Sequence, residues 1–141
     1  MTIDASPRPL IVVGVDGSPE SLKAVEWAAG YAKASAGTLE LLTTWAHPVS
    51  YGLPLSVGGL DLEARAREMV EKVAADVDLP PEQVRITVVN AAAPTELVRR
   101  SHEADLIVVG PRGHGGFAEL LLGSVSAYCV HHAQCPVVVV R

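Results

Sequence analysis

Residues 10–18 read LIVVGVDGS. The run Leu10–Val15 is short, β-branched and nearly continuously apolar, a pattern typical of a strand that is buried on both faces of a parallel sheet. Ser18 can accept a backbone hydrogen bond as an N-cap, and Pro19 suits the first position of a helix. The stretch therefore predicts a buried strand that turns at Asp16 and leads directly into a helix.

The same alternation of apolar strands and amphipathic helices continues along the chain. Four more strands are predicted, at Leu39–Trp45, Gln83–Asn90, Asp105–Gly110 and Pro136–Val140. Four helices are predicted: from Pro19 until Gly37 stops it, from Asp61 to about Val77, from Pro94 to about His102, and between Gly123 and Ala133. We therefore expect an α/β fold with a doubly wound, five-stranded parallel sheet, which binds ligands at the carboxyl ends of its strands where the winding direction reverses.

The composition limits the class of protein and its partners. The 141 residues suit one compact domain, 1–141, and 49% hydrophobic residues are ample for a core. A net charge of -5 argues against duplex DNA or an anionic membrane surface as a partner. Met1–Pro9 lacks the apolar core of a signal peptide, and no apolar run approaches the roughly 18 residues of a membrane span. A cytoplasmic location is therefore expected.

A glycine-rich segment follows the predicted strand Asp105–Gly110. Residues 110–124 read GPRGHGGFAELLLGS, with the spacing G-x2-G-x9-G-S. Glycines let the main chain approach an anion with no Cβ in the way, and a helix that begins after Gly123 directs unpaired N–H groups at it. Arg112 and His114 add local positive charge that the acidic chain otherwise lacks. The segment therefore predicts a phosphate-binding turn.

The spacing excludes two other classes of phosphate-binding site. No GK[ST] follows the turn, which excludes a Walker A loop, and no GxGxxG fingerprint follows the first strand. One structural alternative stays open: the glycines can be turn and cap residues between a strand and a helix, with no ligand involved.

Asp16 is a second candidate because it lies at the carboxyl end of the first strand, beside the expected position of the fourth. There it can accept a hydrogen bond from a ribose hydroxyl or hold Mg²⁺. Equally, Asp16-Gly17-Ser18 can be an ordinary turn in which the carboxylate accepts from its own backbone. The sequence leaves both interpretations open.

The chain resembles the universal stress protein family over essentially its whole length, and most closely the small single-domain actinobacterial type. The resemblance is carried by LIVVGVDGS, by DLIVVG at 105–110, by the spacing G-x2-G-x9-G-S and by the ending HAQCPVVVVR at 132–141. It implies an ATP-binding α/β domain with strand order 3-2-1-4-5, usually a homodimer, in stress or dormancy responses.

The resemblance also implies roles for individual residues. Near the ribose and a metal ion it places Gly14, Val15 and Asp16, and against the adenine it places the backbone around Thr44. Along the ribose and phosphates it places Gly110, Arg112 and Gly113, and along the phosphate tail it places Gly123, Ser124 and Val125. Asp16 and Ser124 are the expected ligands of Mg²⁺: the resemblance places Asp16 near a metal ion, and the Ser124 hydroxyl can serve either as a metal ligand or as a donor to a terminal phosphate.

Two positions depart from the family's pattern. Pro111 stands where the family commonly has Ser or Thr, so one backbone donor is absent from the phosphate turn. Ala91–Ala93 precede Pro94 where the family often has a glycine, which puts the conformation of that turn in doubt.

The leading hypothesis is a nucleotide-binding regulatory protein, with ATP held across the carboxyl ends of the first and fourth strands. The sequence places no general base beside the expected γ-phosphate, so ATP hydrolysis is expected to be slow at most. Two alternatives stay open. One is an ATPase or phosphotransferase that uses Asp16, Ser124 and Mg²⁺. The other is a dimeric interaction module that binds no ATP, or binds another adenine nucleotide such as cyclic AMP.

Two further segments predict interactions. Val137–Val140 would form an apolar edge strand, which favours a homodimer through edge-to-edge pairing. Coverage of this edge by the chain's own N-terminal arm is the alternative. Residues 47–59 are rich in Pro and Gly and are predicted to form a long surface loop that can serve as a lid.

Overall fold

The structure is a computed structural model that describes residues 8–47, 49–50, 53–54, 61–111 and 122–141. The strands are β1 Leu10–Gly14, β2 Thr38–Trp45, β3 Val49–Ser50, β4 Leu53–Pro54, β5 Val84–Asn90, β6 Leu106–Val109 and β7 Val137–Val139. The helices are α1 Pro19–Ser35, α2 Leu62–Ala75, α3 Ala93–Ser101 and α4 Ser124–His132, and a single 3-10 turn spans Pro81–Gln83.

Five parallel strands form the main sheet, in the order β5-β2-β1-β6-β7. This order is the predicted 3-2-1-4-5 once the short strands β3 and β4 are left out of the count, so the α/β fold and its topology are confirmed. From the central strand β1 the chain proceeds to β2 and then to β5 on one side of the sheet. It then crosses to the other side of β1 and proceeds from β6 to β7. The winding direction therefore reverses between β1 and β6, whose carboxyl ends open the crevice where such sheets bind ligands.

Helices cover both faces of the sheet. α1 and α2 pack on one face, called here the α1–α2 face, and α3 and α4 pack on the other, the α3–α4 face. Successive residues of β1 alternate between them, since Ile11 and Val13 belong to the α1–α2 core and Val12 to the α3–α4 core. Burial on both faces explains why the apolar run of β1 is continuous rather than alternating.

The start of α1 is as predicted, and its end has a different cause. The Ser18 hydroxyl caps the helix by accepting the Ser21 N–H at 3.2 Å, and Pro19 is the first helical residue. At the other end Ala36, not glycine, adopts the left-handed conformation with φ 55°. Gly37 is needed for space, because a Cβ there would lie 2.6 Å from Ile11 Cδ1 and 2.8 Å from the Pro9 carbonyl oxygen.

One residue assigned to the buried face of α1 lies elsewhere. The sequence pattern placed Leu22 on the sheet, but its side chain is 44% exposed. Mostly small residues pack against the sheet instead. The buried residues of α1 are Ser21, Ala24, Val25, Ala28, Ala29 and Ala32. Leu22 lies on the flank that faces α2, where it lines a groove with Val73.

The predicted loop 47–59 contains one element that the sequence did not indicate. β3 and β4 pair antiparallel, with Val49 opposite Pro54 and Ser50 opposite Leu53. Residues 48, 51–52 and 55–60 lie outside the described part of the chain, so a lid at this position stays a prediction. The prediction that residues 47–59 contain no strand was wrong for the two short strands β3 and β4.

Candidate functional site

The predicted site residues that the structure describes converge on the carboxyl edge of the sheet. β1 and β6 are neighbours, with Val13 opposite Val108, so the residues after each strand lie side by side. Gly14 pairs with Leu42 of β2, and Thr44 lies two residues further along that strand. The sequence thus placed Gly14, Val15, Asp16, Thr44 and Gly110 at one edge, and the structure brings them there.

Val15 is part of the framework of this edge. Its N–H donates to the Leu42 carbonyl at 2.9 Å, and its own carbonyl accepts the Thr43 hydroxyl at 3.0 Å. The side chain is buried in the α1–α2 core. Because β2 engages both of its backbone groups, Val15 fixes the position of Asp16 at the end of β1.

The Asp16 carboxylate holds the turn that follows β1. Its Oδ1 accepts the Ser18 N–H at 2.9 Å and the Ser18 hydroxyl at 2.5 Å. Gly17 between them has φ +81°, a conformation that favours glycine. Ser18 in turn caps α1, so the carboxylate, the turn and the helix start form one hydrogen-bonded unit. These contacts support the turn interpretation of Asp16, and they also fix the orientation of its carboxylate after the end of β1.

Gly110 has a packing role that the sequence did not reveal. A Cβ at this position would lie 3.0 Å from the backbone carbonyl of Glu20, in the first turn of α1. The glycine lets the end of β6 approach the helix start closely. Its absence of a side chain is therefore required by the fold, whether or not a phosphate also approaches it.

The base of the glycine-rich segment is closed by hydrogen bonds. The Gly123 N–H donates to the Pro111 carbonyl, and the Ser126 hydroxyl donates to the same carbonyl at 2.7 Å. Ser126 and Pro111 are buried. The start of α4 is thus fixed against the end of β6, which brings Gly123 and Ser124 to the edge that carries Gly110. Arg112, Gly113 and His114 lie in 112–121, outside the described residues.

The first turn of α4 has the features of an anion-binding helix end. Gly123 is the N-cap, and within the described residues no side chain caps the helix. The first helical backbone bond runs from the Ala127 N–H to the Gly123 carbonyl at 3.0 Å, so the N–H groups of Ser124 and Val125 precede the helical ladder. Ser124 is exposed. Such N–H groups and the helix dipole favour negative charge.

Sequence reasoning missed two residues that hold this site in place, Thr43 and Ser126, whereas it did consider Trp45 as a residue that could stack on a base. Thr43 holds Val15, and Ser126 closes the glycine-rich segment. Trp45, at the end of β2 beside Thr44, contacts His47 edge-on with ring centroids 5.5 Å apart. A hydroxyl in the first turn of a helix after glycine was the signal available for Ser126. No local signal marks Thr43, because its partner lies 28 residues away.

The donor set at this edge suits Mg²⁺ better than a softer metal. A carboxylate at Asp16 and a hydroxyl at Ser124 are hard oxygen donors, which Mg²⁺ accepts together with phosphate and water. In the described part of the chain no group of three or more His, Cys, Asp or Glu residues could hold a metal ion.

None of the described helices is long and apolar enough to span a membrane.

Comparisons with known proteins agree with this architecture. The sequence profile of the universal stress protein family matches residues 9–141. The universal stress protein Rv2623 of Mycobacterium tuberculosis is 38% identical over 141 residues, which cover 93% of this chain and 47% of that protein. The chain therefore spans about half the length of the curated relatives it matches.

Two solved structures are similar over nearly all of the chain. A universal stress protein crystallised in complex with cAMP is 31% identical with a TM-score of 0.67, covering 96% of this chain and 98% of the other. The universal stress protein UspA from Lactobacillus plantarum has a TM-score of 0.76 at 21% identity, covering 96% of this chain and 99% of the other. The second likeness concerns the fold alone.

Proposed function

The chain belongs to the universal stress protein family, and on that premise we propose that it is an ATP-binding regulatory protein of the stress response. It acts in the cytoplasm as a single nucleotide-binding domain, 1–141. It signals by nucleotide-dependent binding rather than by fast catalysis, and any ATP hydrolysis is slow.

The observation that carries the proposal is the closure of the glycine-rich segment at its base. The Pro111 carbonyl accepts the Gly123 N–H and the Ser126 hydroxyl, which holds the start of α4 beside the carboxyl end of β6. No side chain of the described residues caps this helix start. Backbone N–H groups at such a position can hold a polyphosphate in a chain whose net charge is -5. Affinity for the anion then comes from local dipoles rather than from a global positive field.

The nucleotide spans the crevice with its base toward β2 and its phosphates toward α4. Gly14, Val15 and Asp16 meet the ribose and metal, and the backbone around Thr44 meets the adenine. The phosphates meet Gly110, Arg112, Gly113, Gly123, Ser124 and Val125. Mg²⁺, when bound to the nucleotide, neutralises phosphate charge, and Asp16 and Ser124 supply its protein ligands.

The contacts of Asp16 support a binding role over a catalytic one. Its Oδ1 already accepts two hydrogen bonds from Ser18, so protein donors occupy this oxygen. A general base must take a proton from the attacking group. Asp16 is therefore suited to orient a ribose or a metal ion and poorly suited to activate water.

Calorimetry with Mg-ATP tests the site. Wild type is expected to bind, and the double variant Gly113→Ala with Gly123→Val is expected to lose binding, because side chains then intrude on the phosphate path. Gly30→Ala is the matched control, since that glycine lies in α1 with no atom within 4 Å of its would-be Cβ. Equal affinity of wild type and double variant would show that the pocket lies elsewhere.

A turnover assay separates binding from catalysis. We expect no fast multiple-turnover hydrolysis by wild type. A rate near ~1 per second that Ser124→Ala abolishes would favour the ATPase or phosphotransferase instead. The nucleotide carried by the purified protein, identified from its absorbance ratio and from the mass of what heating releases, provides an independent check.

Cyclic AMP is the second candidate ligand. A relative that is 31% identical was crystallised with cAMP, and Pro111 removes one backbone donor from the phosphate turn. A cyclic monophosphate needs fewer donors than a triphosphate tail does. Parallel titrations with ATP and cyclic AMP decide between them, and a preference of more than about tenfold for cyclic AMP, or about 1.4 kcal/mol, would replace ATP in the proposal.

The same proposal includes a homodimer through the edge strand. β7 is the outer strand of the sheet, with β6 as its neighbour, and the half-buried valines of Val137–Val140 make it an apolar edge. Pairing with a second copy would satisfy its outward backbone groups. Sedimentation at micromolar concentration is expected to give a dimer; a monomer would contradict this part.

A further inference from the structure

A groove runs along the surface between α1 and α2. It consists of two adjoining cavities with volumes of about 380 Å³ and about 320 Å³, which share Leu22, Lys72 and Val73. Leu22 is exposed there and Val73 is half-buried. Cavities of this size are typical of sites that bind other molecules. This α1–α2 groove is therefore a candidate docking surface.

Apolar side chains form the floor of the α1–α2 groove. The apolar residues that line it are Leu22, Val25, Ala29, Met69, Val73 and Val77. From Leu22 to Ala29 the floor spans seven residues of α1, or about 10 Å. The apolar positions i, i+4 and i+7 of an amphipathic helix span the same distance. The floor therefore matches one face of a helix that lies along it.

Two ion pairs neutralise part of the charged rim. Lys72 pairs with Glu68 on α2 at 3.4 Å, and Lys33 pairs with Asp78 at 2.7 Å. Lys33 belongs to the last turn of α1 and Asp78 follows the end of α2, so the second pair marks one end of the groove. Because these four charges already have partners, they do not select a ligand.

Three other rim charges have no ion-pair partner among the described residues: Glu26, Asp76 and Arg65. Glu26 and Asp76 line the cavity near the C-terminal end of α2. Arg65 lines the other cavity, near the N-terminal end of α2. A complementary partner therefore carries positive charge at one end and negative charge at the other.

This charge distribution favours one direction for a docked helix. Negative side chains stabilise the first turn of a helix, and positive side chains stabilise the last turn. A helix that runs in the same direction as α2 brings its first turn to Arg65 and its last turn to Glu26 and Asp76. The charges that stabilise such a helix are therefore the ones that the rim complements.

The groove also reaches the turn that follows β1. Gly17 lines the second cavity, and a Cβ on Gly17 would lie 3.4 Å from Cγ of Met69 on the groove floor. The same turn holds the Asp16 carboxylate through its hydrogen bonds with Ser18. A nucleotide that contacts Asp16 therefore acts on a segment that a docked helix also contacts.

We propose that the α1–α2 groove binds an amphipathic helix of a partner protein. The helix places its apolar face on Leu22 and Val73, with acidic residues in its first turn and basic residues in its last turn. This inference rests on the proposed function, because nucleotide-dependent binding requires a partner. It adds the surface that the partner contacts and the chemistry that is recognised there.

Fluorescence anisotropy with a synthetic peptide tests the floor of the groove. The probe is a labelled helix of about three turns with leucine at i, i+4 and i+7, glutamate in the first turn, lysine in the last turn and alanine elsewhere. Saturable binding to the full chain is expected. Leu22→Ser should raise the dissociation constant at least about tenfold, because an apolar contact is lost.

Val130→Ser is the matched control for Leu22→Ser. Val130 is similarly exposed, at 48% against 44%, but it lies on α4 on the other face of the sheet. We expect it to change the dissociation constant less than about twofold. Circular dichroism checks that both variants fold. Equal peptide affinity of wild type and Leu22→Ser would overturn the proposal.

A second set of variants tests the charges of the rim. Glu26→Gln with Asp76→Asn removes both acidic charges, and the dissociation constant is expected to rise about three- to tenfold at low salt. Glu71→Gln with Glu82→Gln removes the same charge from exposed positions outside the groove. This control is expected to change affinity less than about twofold. Equal weakening in both would mean that only net charge attracts the peptide, and would overturn the proposal.

Amide chemical shifts locate the peptide on wild type without any substitution. The largest changes are expected in residues 22–29 of α1 and in residues 65–78, which include most of α2. Residues of α4 should not change beyond background. Changes centred outside the two groove segments would overturn the proposal.

The outcomes separate this inference from the proposed function. Mg-ATP is expected to change the affinity for the peptide at least about fivefold; an unchanged affinity would refute nucleotide dependence and keep the groove. A protein that binds Mg-ATP and not the peptide would refute the groove and keep ATP binding. If the peptide does not bind and Leu22→Ser dissociates a wild-type dimer, a second copy covers the groove and the proposal is wrong.

Discussion

Glu40 and Arg100 form a two-point ion pair inside the α3–α4 face of the sheet. Nε of Arg100 donates to Oε2 of Glu40 at 2.9 Å, and Nη2 donates to Oε1 at 2.8 Å. Glu40 is 1% exposed in the middle of β2. The hydrogen bond to Glu40 raises the pKa of the Arg100 guanidinium above its usual value. The pair therefore docks α3 on the sheet through a buried two-point contact.

Removing one partner of this pair is expected to be costly. Arg100→Met leaves the buried Glu40 carboxylate with Arg85 alone, 3.3 Å away and half exposed. We expect the free energy of unfolding to fall by about 3–5 kcal/mol, and the double change Glu40→Met with Arg100→Met to recover much of that loss. Urea denaturation measures both.

Lys33→Met is the control for the loss of a positive charge. Lys33 pairs with Asp78 at 2.7 Å, and both side chains are largely exposed. The expected effect is small, because solvent screens an ion pair between two exposed side chains. A similar small loss for Arg100→Met would mean that the buried pair contributes little to the folded state.

The elements of the fold were predictable because their signals are local. LIVVGV and DLIVVG identify β1 and β6 by composition, and Ser18-Pro19 identifies the start of α1 within two residues. The Glu40–Arg100 pair was not predictable in the same way. A glutamate in the apolar strand β2 indicates that some partner exists, but that partner lies 60 residues away on another helix.

Gly110→Ala tests whether the glycine that ends β6 is required by the fold. Its Cβ would lie 3.0 Å from the Glu20 backbone, so the start of α1 must shift. We expect a loss of about 1–3 kcal/mol in the free energy of unfolding, typical of overpacking. Because the shift also displaces the Ser18 turn beside Asp16, ATP affinity should fall as well. Thermal denaturation and calorimetry measure the two effects.

Gly30→Ala is expected to have the opposite effect on stability from Gly110→Ala. Gly30 lies inside α1 with open space around its would-be Cβ. Alanine is the better helix former, so a gain of about 0.5–1 kcal/mol is expected. If both alanine variants lost stability equally, the close contact between β6 and α1 would not explain the need for Gly110.

Ser126 and Ser124 are expected to separate stability from binding. Ser126 is buried and donates to the Pro111 carbonyl at 2.7 Å, whereas Ser124 is exposed at the helix start. Ser126→Ala should lower the free energy of unfolding by about 1–2 kcal/mol, because the buried Pro111 carbonyl loses the hydrogen bond from the hydroxyl. Ser124→Ala should leave stability within about 0.5 kcal/mol and weaken Mg-ATP binding. The reverse pattern would contradict the proposed roles.

The candidate site was predictable in position and only partly in mechanism. Asp16 and Gly110 end neighbouring strands, so the topology alone brings them to one edge. The contacts that fix them are long-range: Thr43 holds Val15 across 28 residues, and Ser126 reaches back 15 residues to Pro111. The spacing of glycines shows at which positions the main chain cannot carry a side chain. It does not show whether a helix or a ligand occupies the space where that side chain would lie.

Cys129 predicts how stability depends on alkaline pH. Cys129 is a fully buried residue of α4 that belongs to the α3–α4 core, and burial raises the pKa of its thiol to about 11. In the unfolded chain the thiol ionises near pH ~8.5. Above that pH the unfolded state binds fewer protons than the native state, so stability falls as pH rises. The contribution is complete below pH ~8.5 and is lost progressively up to about pH 11.

The measurement compares wild type with Cys129→Ala from pH 8 to 11. Lysines and tyrosines titrate in both proteins, so the difference between their free energies of unfolding isolates the thiol. That difference should fall by about 3 kcal/mol as pH rises through this range, with Cys129→Ala the less stable at pH 8 because of the cavity. Native Cys129 should also resist alkylation at pH 8, since the thiolate is the reactive form. A difference that stays flat with pH, or rapid alkylation of Cys129 in the folded protein, would show that the thiol titrates as an exposed group and that α4 does not seal it.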